Sequence, residues 1–515
     1  MSLKGSRTKR LCGIVLVAAV MLAGLAGGGQ AQGQQVLTVA QLFNPEDMSP
    51  WNFTTLATVD IWEHFLEPLT AFDRKGNIYG VVAESWQMAK PTEWIVKIRR
   101  GMKFHDPKYG ELTAEDVKFT IDEGVKQGTV IRRLLPKPLQ EGSVEVVDRY
   151  TIRWKLGEPG TGGLPNVMSL IHITSKAYIE GEGKDTYKRQ PMGTGPYKPV
   201  EFVTNQRIVG DLNPNYWGRK PGFQRIVWRI MGDALTAKNA LLAGEVDVYQ
   251  FVPPEAIPEV QRNPRTRIVE TVSARMLFMI MNASEPPLDN KLLRQAFNYA
   301  VDKKTIVEQL YRGKAIALRA PMQESLPELN KKLNGYPYNP QKARQLLQQA
   351  GYKGEQIRLN APTQRITLGK ELGEAVAGML QRVGVNVDLK LAEWGSYAPP
   401  LLAGKMSGVS LSGMGNILFL PEFVFSLWML PGGQGDVYTK GRPATWERDV
   451  AQVSLMAKGN PRRQPLLDKL QAEALEWAPW ILLINLRDVY ALNNRVNWEP
   501  YPAEIRNFKD AKPRN

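Results

Sequence analysis

Gly193-Thr194-Gly195-Pro196-Tyr197-Lys198 opens the stretch, Met192 to Val248, on which the fold of this chain turns. Glycine supplies positive φ and proline ends a regular element, so these six residues read as a turn. An alternating run through Arg207-Ile208-Val209 leads to a second turn, Asn213-Pro214-Asn215-Tyr216-Trp217-Gly218, which brings two aromatics to bury. Ile226-Val227-Trp228-Arg229-Ile230 reads as a strand. Leu235 to Ala243 reads as a short helix with Leu235, Leu241 and Leu242 on its apolar side, stopped by Gly244, and Val246-Asp247-Val248 starts another strand. Periodicity alone takes this stretch as far as α/β.

Outside it, the chain is 515 residues long, too long for one hydrophobic core, and two or three domains are expected. Its formal charge of +15 is spread along the whole sequence, not gathered into one basic module, which argues against nucleic-acid binding. Lys4, Arg7, Lys9 and Arg10 precede an apolar run, Leu11 to Ala26, and then small residues with a Gly29-Gln30-Ala31 cleavage site. That is the pattern of a secretory signal over residues 1–31, shorter than the roughly 20 apolar residues a membrane span needs. The single cysteine, Cys12, lies inside the run, so a mature chain from Gln32 is expected to have neither disulfide nor lipid anchor. The expected location is the periplasm.

Further elements can be read in order. Val36 to Phe43 alternates as a strand, and Ala57 to Phe65 looks helical. Thr113 with Asp116 three residues on is close to a capping box. Val144 to Val147 and Thr151 to Trp154 are two alternating strands. Met276 to Met281 is a continuous apolar run, whose methionines at strand alternation indicate a buried strand and not a soft metal site. Asp289 is expected to cap a helix with Leu292, Leu293, Ala296, Phe297 and Ala300 on its apolar face, and Asp302 the next. Asn339-Pro340 starts another helix, ended by Gly351. Ile357 to Asn360, Leu368 to Val383 and Val385 to Leu391 form a strand–helix–strand unit, hence a parallel or mixed sheet. Arg462 to Trp477 is helical, and Pro479 to Arg487 is a strand.

Several of these segments, with the opening stretch, resemble the family 5 solute-binding proteins, the extracytoplasmic receptors of peptide-type and nickel-type ABC importers. The resemblance is carried by Met48-Ser49-Pro50, Val82-Ala83-Glu84-Ser85-Trp86, Trp94 to Asp106, Thr113 to Val117, Leu293 to Asp302 and Tyr338 to Tyr352. It implies an α/β, two-lobed periplasmic-binding-protein fold (class II, cluster C type) with an extra small β-rich domain inserted in the first lobe. The implied bounds are 32–60, 190–272 and 482–515 for lobe I, 61–189 for the insertion and 273–481 for lobe II. It also implies a monomeric receptor that captures a small solute, peptide or related, and delivers it to permease subunits driven by a cytoplasmic ATPase.

No catalytic constellation contradicts that expectation. His64, His105 and His172 are the only histidines and lie far apart. There is no Gly-x-Ser-x-Gly elbow, His-Glu-x-x-His or phosphate loop, and no cofactor or metal is expected. A secreted glycosidase-like hydrolase with two carboxylates distant in sequence and a cleft-bearing chaperone are the alternatives. For a receptor, the residues expected at the cleft are Asn44 and Trp51 on one side and Arg365, Trp394, Met414, Gly415, Asn416, Phe419 and Phe423 on the other, with Tyr490 near the return crossing. Peptide-binding members commonly carry an aspartate in the loop that corresponds to Ser412 to Pro421; this loop has no acid, which points to a neutral or anionic solute.

Overall fold

A computed structural model of the chain describes residues 35–45, 47–51, 56–127, 142–157, 163–502 and 506–514. The signal segment and Cys12 lie outside them. Among the described residues the organising element is an 11-stranded sheet. Its strands are β1 (Val36–Gln41), β2 (Tyr197–Val203), β3 (Arg207–Leu212), β4 (Arg225–Ile230), β5 (Val248–Tyr249), β6 (Thr266–Met281), β7 (Ala315–Ala317), β8 (Ile357–Pro362), β9 (Val387–Ala392), β10 (Val409–Gly415) and β11 (Trp480–Asn493). Their order is β2-β3-β4-β1-β5-β11-β6-β10-β8-β9, with β7 paired to β11.

The opening stretch supplies β2 to β5. Its glycines, however, are required by close approach and not by positive φ, which neither Gly193 nor Gly195 adopts. Gly195 N–H donates to Phe65 O at 3.0 Å and Tyr197 N–H to His64 O at 3.1 Å, so this turn lies directly on the end of the helix Leu56–Trp62. A Cβ on Gly195 would meet the His64 and Phe65 backbone at 2.6 Å. The helix Ala234–Ala243 is capped by Asp233, which accepts from Thr236 N–H, and ends at Gly244 with φ 83°. It buries Ala237, Ala240 and Leu241, while Leu235 is 61 % exposed. Leu235 and Leu241 are six residues apart, which sets them roughly 120° apart around the helix, so the buried Leu241 face does not take in Leu235. Asp247 is not a strand residue: buried, it accepts from Thr38 N–H at 2.8 Å and pairs with Arg495, fastening the start of β1 to the turn that follows β11.

Two strands carry the chain between lobes. β6 and β11 run antiparallel from Thr266↔Asn493 to Ile280↔Trp480, with register shifts between Val272 and Met276 and between Leu277 and Phe278. The alternation in β6 explains its methionines. Met276, Phe278 and Ile280 enter one lobe II core, and Leu277, Met279 and Met281 enter the core on the opposite face. Asn485, fully buried opposite the first shift, donates to Ser273 O at 2.9 Å, which satisfies a carbonyl that the ladder no longer reaches.

The β-rich insertion has its own four-stranded antiparallel sheet, built from Ala83–Lys90, Glu93–Ile98, Thr151–Lys155 and Val144–Asp148. The helix Ala114–Lys126 covers it, started by the Thr113–Asp116 capping box. In lobe II, β8 and β9 are parallel around the helix Gly369–Arg382. The helix Lys291–Ala300 is capped by Asn290, not Asp289, because the Asn290 side chain is the one that reaches Leu292 N–H, at 2.9 Å.

Candidate functional site

Where β5 ends, Phe251-Val252-Pro253-Pro254 leaves the sheet, since neither proline can donate to a ladder. Val252 N–H still donates to Val489 O at 3.0 Å, which holds this segment beside β11 as it enters lobe I. Between these residues and lobe II lies a cavity of about 150 Å³. Phe251, Pro253, Asp488, Tyr490 and Arg506 form its lobe I side; Tyr311, Lys314 and Thr367 face them from lobe II, and Arg275 lies at the crossing.

The lobe I wall is rigidly made. Arg506 is 3 % exposed, its N–H donates to Asp60 Oδ1 at 2.7 Å, and its Nη1 meets Asp60 Oδ2 at 3.2 Å. Its guanidinium carbon sits 3.9 Å from the centre of the Phe251 ring. Phe251 has φ 58°, a left-handed conformation that costs roughly 1 kcal/mol or more for a bulky residue. Phe43 meets that ring edge-on, with centroids 6.3 Å apart. Burial, only partly offset by Arg506, pushes the Asp60 carboxyl up to about 6. Burial also pushes the Tyr490 hydroxyl well above its ordinary value. Facing them, Tyr311 Oη donates to Thr367 O at 2.7 Å. Glu270 on β6 pairs with Lys314 at 2.7 Å and with Arg487 at 3.6 Å, tying both strands of the crossing to lobe II.

The residues expected from sequence divide sharply. Tyr490 lines the cavity. Arg365 is exposed two residues before Thr367, has φ 71°, and lies 6.0 Å from the half-buried Trp394 ring, which packs against a lobe II core; neither residue lines the cavity. Gly415 pairs with Arg275 across β10 and β6. The others are elsewhere. Asn44 accepts from Asn205 N–H at 3.0 Å and is occupied with the β2–β3 turn. Trp51 is buried in the insertion, where Nε1 donates to Thr120 O at 2.8 Å and the ring packs on Phe119 and Tyr187. Met414 is core of lobe II. Asn416 is fully buried and employed by its own loop: its N–H donates to Ala274 O and its Nδ2 to Leu420 O at 2.9 Å.

Phe419 and Phe423 have a different role from the one expected. Phe419, with φ 52°, packs its ring on Phe72 of the insertion, and Phe423 lies half-buried between the cores of the two lobes. Asn166 Nδ2 donates to Leu418 O at 2.7 Å, and Leu420 approaches Gly163 so closely that a Cβ there would lie 2.5 Å from Leu420 Cδ1. The 416–420 loop is therefore a latch between lobe II and the insertion. Arg506, Phe251, Arg275 and Lys314 were missed by the sequence reading. Only the Pro253-Pro254 break marks the place of Phe251; Arg506 meets Asp60 across 446 positions, which leaves no local signal.

The histidines are structural. His64 accepts from Phe508 N–H, His105 contacts Gly195 O at 3.1 Å and His172 contacts Glu63 at 3.1 Å, all buried. Among the described residues no group of three or more His, Cys, Asp or Glu is placed to hold a metal ion, and no helix is long and apolar enough to cross a membrane.

Two lobes joined by a pair of crossing strands, with a cavity between them, define a two-lobed binding-protein architecture. Residues 77–436 match the family model of bacterial extracellular solute-binding proteins, family 5 (middle), and the chain belongs to that family. It is 30% identical over 275 residues to Heme-binding protein A of Haemophilus influenzae, covering 49% of this chain and 50% of that one. This chain thus spans about half the length of that relative, and 61% of a probable D,D-dipeptide-binding protein of Escherichia coli at 23% identity. The Glutathione-binding protein of Pectobacterium atrosepticum is 26% identical over 512 residues, 96% of this chain and 97% of that protein. Among solved structures, HbpA2 from Haemophilus parasuis superposes with TM-score 0.83 at 22% identity, covering 93% of this chain and all of that one. NikA from Brucella suis, in complex with Fe(III)-EDTA, gives 0.81 at 22%, with the same coverage. At these identities the structures speak for the fold.

Proposed function

We propose that this protein is the periplasmic receptor of an ABC importer, which captures a small peptide-like solute between its lobes and hands it, unaltered, to the membrane permease. The observation that carries the reading is the cavity between lobe I and lobe II, beside the two strands that cross between them. Such a pair can close on a solute while a few residues at the crossing absorb the change in φ and ψ. In this reading residues 1–31 are the signal peptide, lobe I is 32–60, 190–272 and 482–515, the insertion is 61–189, and lobe II is 273–481. The receptor acts as a monomer without cofactor or metal, alongside permease subunits and their cytoplasmic ATPase. The peptide and glutathione specificities named for full-length or partial relatives make peptide-like solutes the first to test. Family membership favours the receptor over a hydrolase or a chaperone.

Thermal unfolding with candidate solutes tests it. A specific ligand at 100 times its dissociation constant adds about 2.7 kcal/mol, whereas a hydrolase consumes the compound and a chaperone shows little selectivity.

A further inference from the structure

Lobe II carries a second cavity, of about 350 Å³, which shares no lining residue with the one between the lobes. Three segments wall it: 302–304, 317–319 at the end of β7, and the loop residues 333–334 and 336–338.

Lys303 decides what this cavity can hold. It lines the cavity yet is only 8 % exposed, and its one acceptor among the described residues is Leu318 O, at 3.1 Å. An ammonium has three donors, and burying one without a countercharge is costly. The nearby carboxylates are committed elsewhere. Glu324, which acts on the Lys303 charge from further off, pairs with Arg319 at 3.0 Å. Asp302 accepts from Thr305 N–H at 3.1 Å and from Thr305 Oγ1 at 2.8 Å. Burial, only partly offset by Glu324, therefore pushes the Lys303 ammonium down to about 8. Room beside the ammonium is kept by Gly335, with φ 63°: a Cβ there would lie 3.2 Å from Lys303 Nζ and 3.0 Å from Leu318 O.

The rest of the wall repeats the sign. Lys304 and Arg319 also line the cavity, the exposed Lys331 and Lys332 lead into it, and Asp302 is the one acid among the lining residues. Such an excess of cations draws anions. The apolar share comes from Leu333, Pro337 and Tyr338, whose ring is left 46 % exposed, while Tyr336 is fixed by its hydroxyl, which donates to Leu475 O. The volume is at the small end for ligand pockets, which suits a compound of about one ring and one charged group.

We propose that lobe II holds a second ligand site, separate from the cavity between the lobes, in which Lys303 receives the carboxylate or phosphate of a small compound and the Tyr338 ring meets its apolar body. The anion supplies the countercharge that Lys303 lacks, so binding draws a proton onto the amine near pH 8 and weakens as pH rises further.

The test titrates the whole mature protein with benzoate and with phenyl phosphate by calorimetry, using neutral benzyl alcohol as the control. The expected result is one saturable site for at least one of the anions, none for the alcohol, and an affinity roughly tenfold or more lower at pH 9.5 than at pH 7. Which anion binds distinguishes a carboxylate site from a phosphate site. Lys303→Met is expected to abolish binding, and Tyr338→Ala to weaken it severalfold with the melting temperature unchanged. The exposed Tyr338 and the pH comparison read the site even if Lys303→Met disturbs folding. No saturable binding of either anion, equal binding of the alcohol, or an affinity unchanged at pH 9.5 or in either variant overturns the proposal, and leaves capture between lobes standing.

Discussion

The rings of Phe72 and Phe419 meet with centroids 4.9 Å apart, one in the β-rich insertion and the other in lobe II. This contact and the Asn166–Leu418 hydrogen bond join the two lobes at a point away from the crossing strands. An aromatic pair contributes about 0.5–1.5 kcal/mol beyond its buried area, enough to shift a closing equilibrium several-fold. Phe419→Ala is therefore expected to enlarge the radius of gyration of the solute-free protein in small-angle scattering and to weaken solute affinity. An unchanged scattering profile would show that the latch does not govern closure.

At the crossing itself, Asn485 is the residue to remove. Asn485→Ala leaves the buried Ser273 carbonyl without its donor, at a cost of about 1–3 kcal/mol. The expected outcome is a lower denaturation midpoint in urea with an unchanged slope.

Two tryptophans give separate readouts. Trp51→Ala removes a buried ring and should cost about 3–5 kcal/mol of stability, with affinity intact in whatever fraction stays folded. Trp394→Ala, where the ring is half-buried beside Arg365, is expected to weaken capture with a smaller change in melting temperature than Trp51→Ala. If Trp394→Ala leaves affinity untouched, that ring belongs to lobe II packing alone.

The buried histidines destabilise the protein in acid, and the sign follows from their burial. Burial holds His105 down at about 4, and burial with the nearby Lys509 charge holds His64 down at about 3, both from 6.5. Their contribution is complete above pH 6.5 and is lost as pH falls through the folded values, about 3 kcal/mol or more for each. Asp60, raised to about 6, works in the opposite direction: its penalty grows as pH rises from 3.8 to 6. Glu63, where Lys509 and the His172 hydrogen bond outweigh burial and hold it at about 2, adds a further loss as pH falls below 4.5. Glu67, Asp116 and Glu422, which burial raises, oppose the histidines as Asp60 does, so the expectation is set on a comparison: the melting temperature falls less between pH 6.5 and 4 in His105→Gln than in the unaltered protein.

The elements were legible wherever a local rule applied. The Thr113–Asp116 box, the Asn339 cap and the two-faced strand at Met276–Met281 all depend on neighbours in sequence, and all are present. Leu235 shows the limit of apolar content alone: its position around the helix leaves it exposed while Leu241 is buried. The cleft was harder to read because its wall is assembled from Phe251, Asp488 and Arg506, with Asp60 buried behind Arg506, residues that no periodicity connects. Aromatics such as Trp51 and Phe419 look the same in sequence whether they line a site, fill a core or latch two lobes; only their partners distinguish these roles.

Native mass spectrometry of the mature protein, incubated with a panel of glutathione and di- and tripeptides and then denatured to release what it holds, tests the central claim most directly. One solute per chain, recovered with its mass unchanged, is the predicted result. A chain that holds nothing from the panel, or that releases a cleaved or otherwise altered compound, would contradict it.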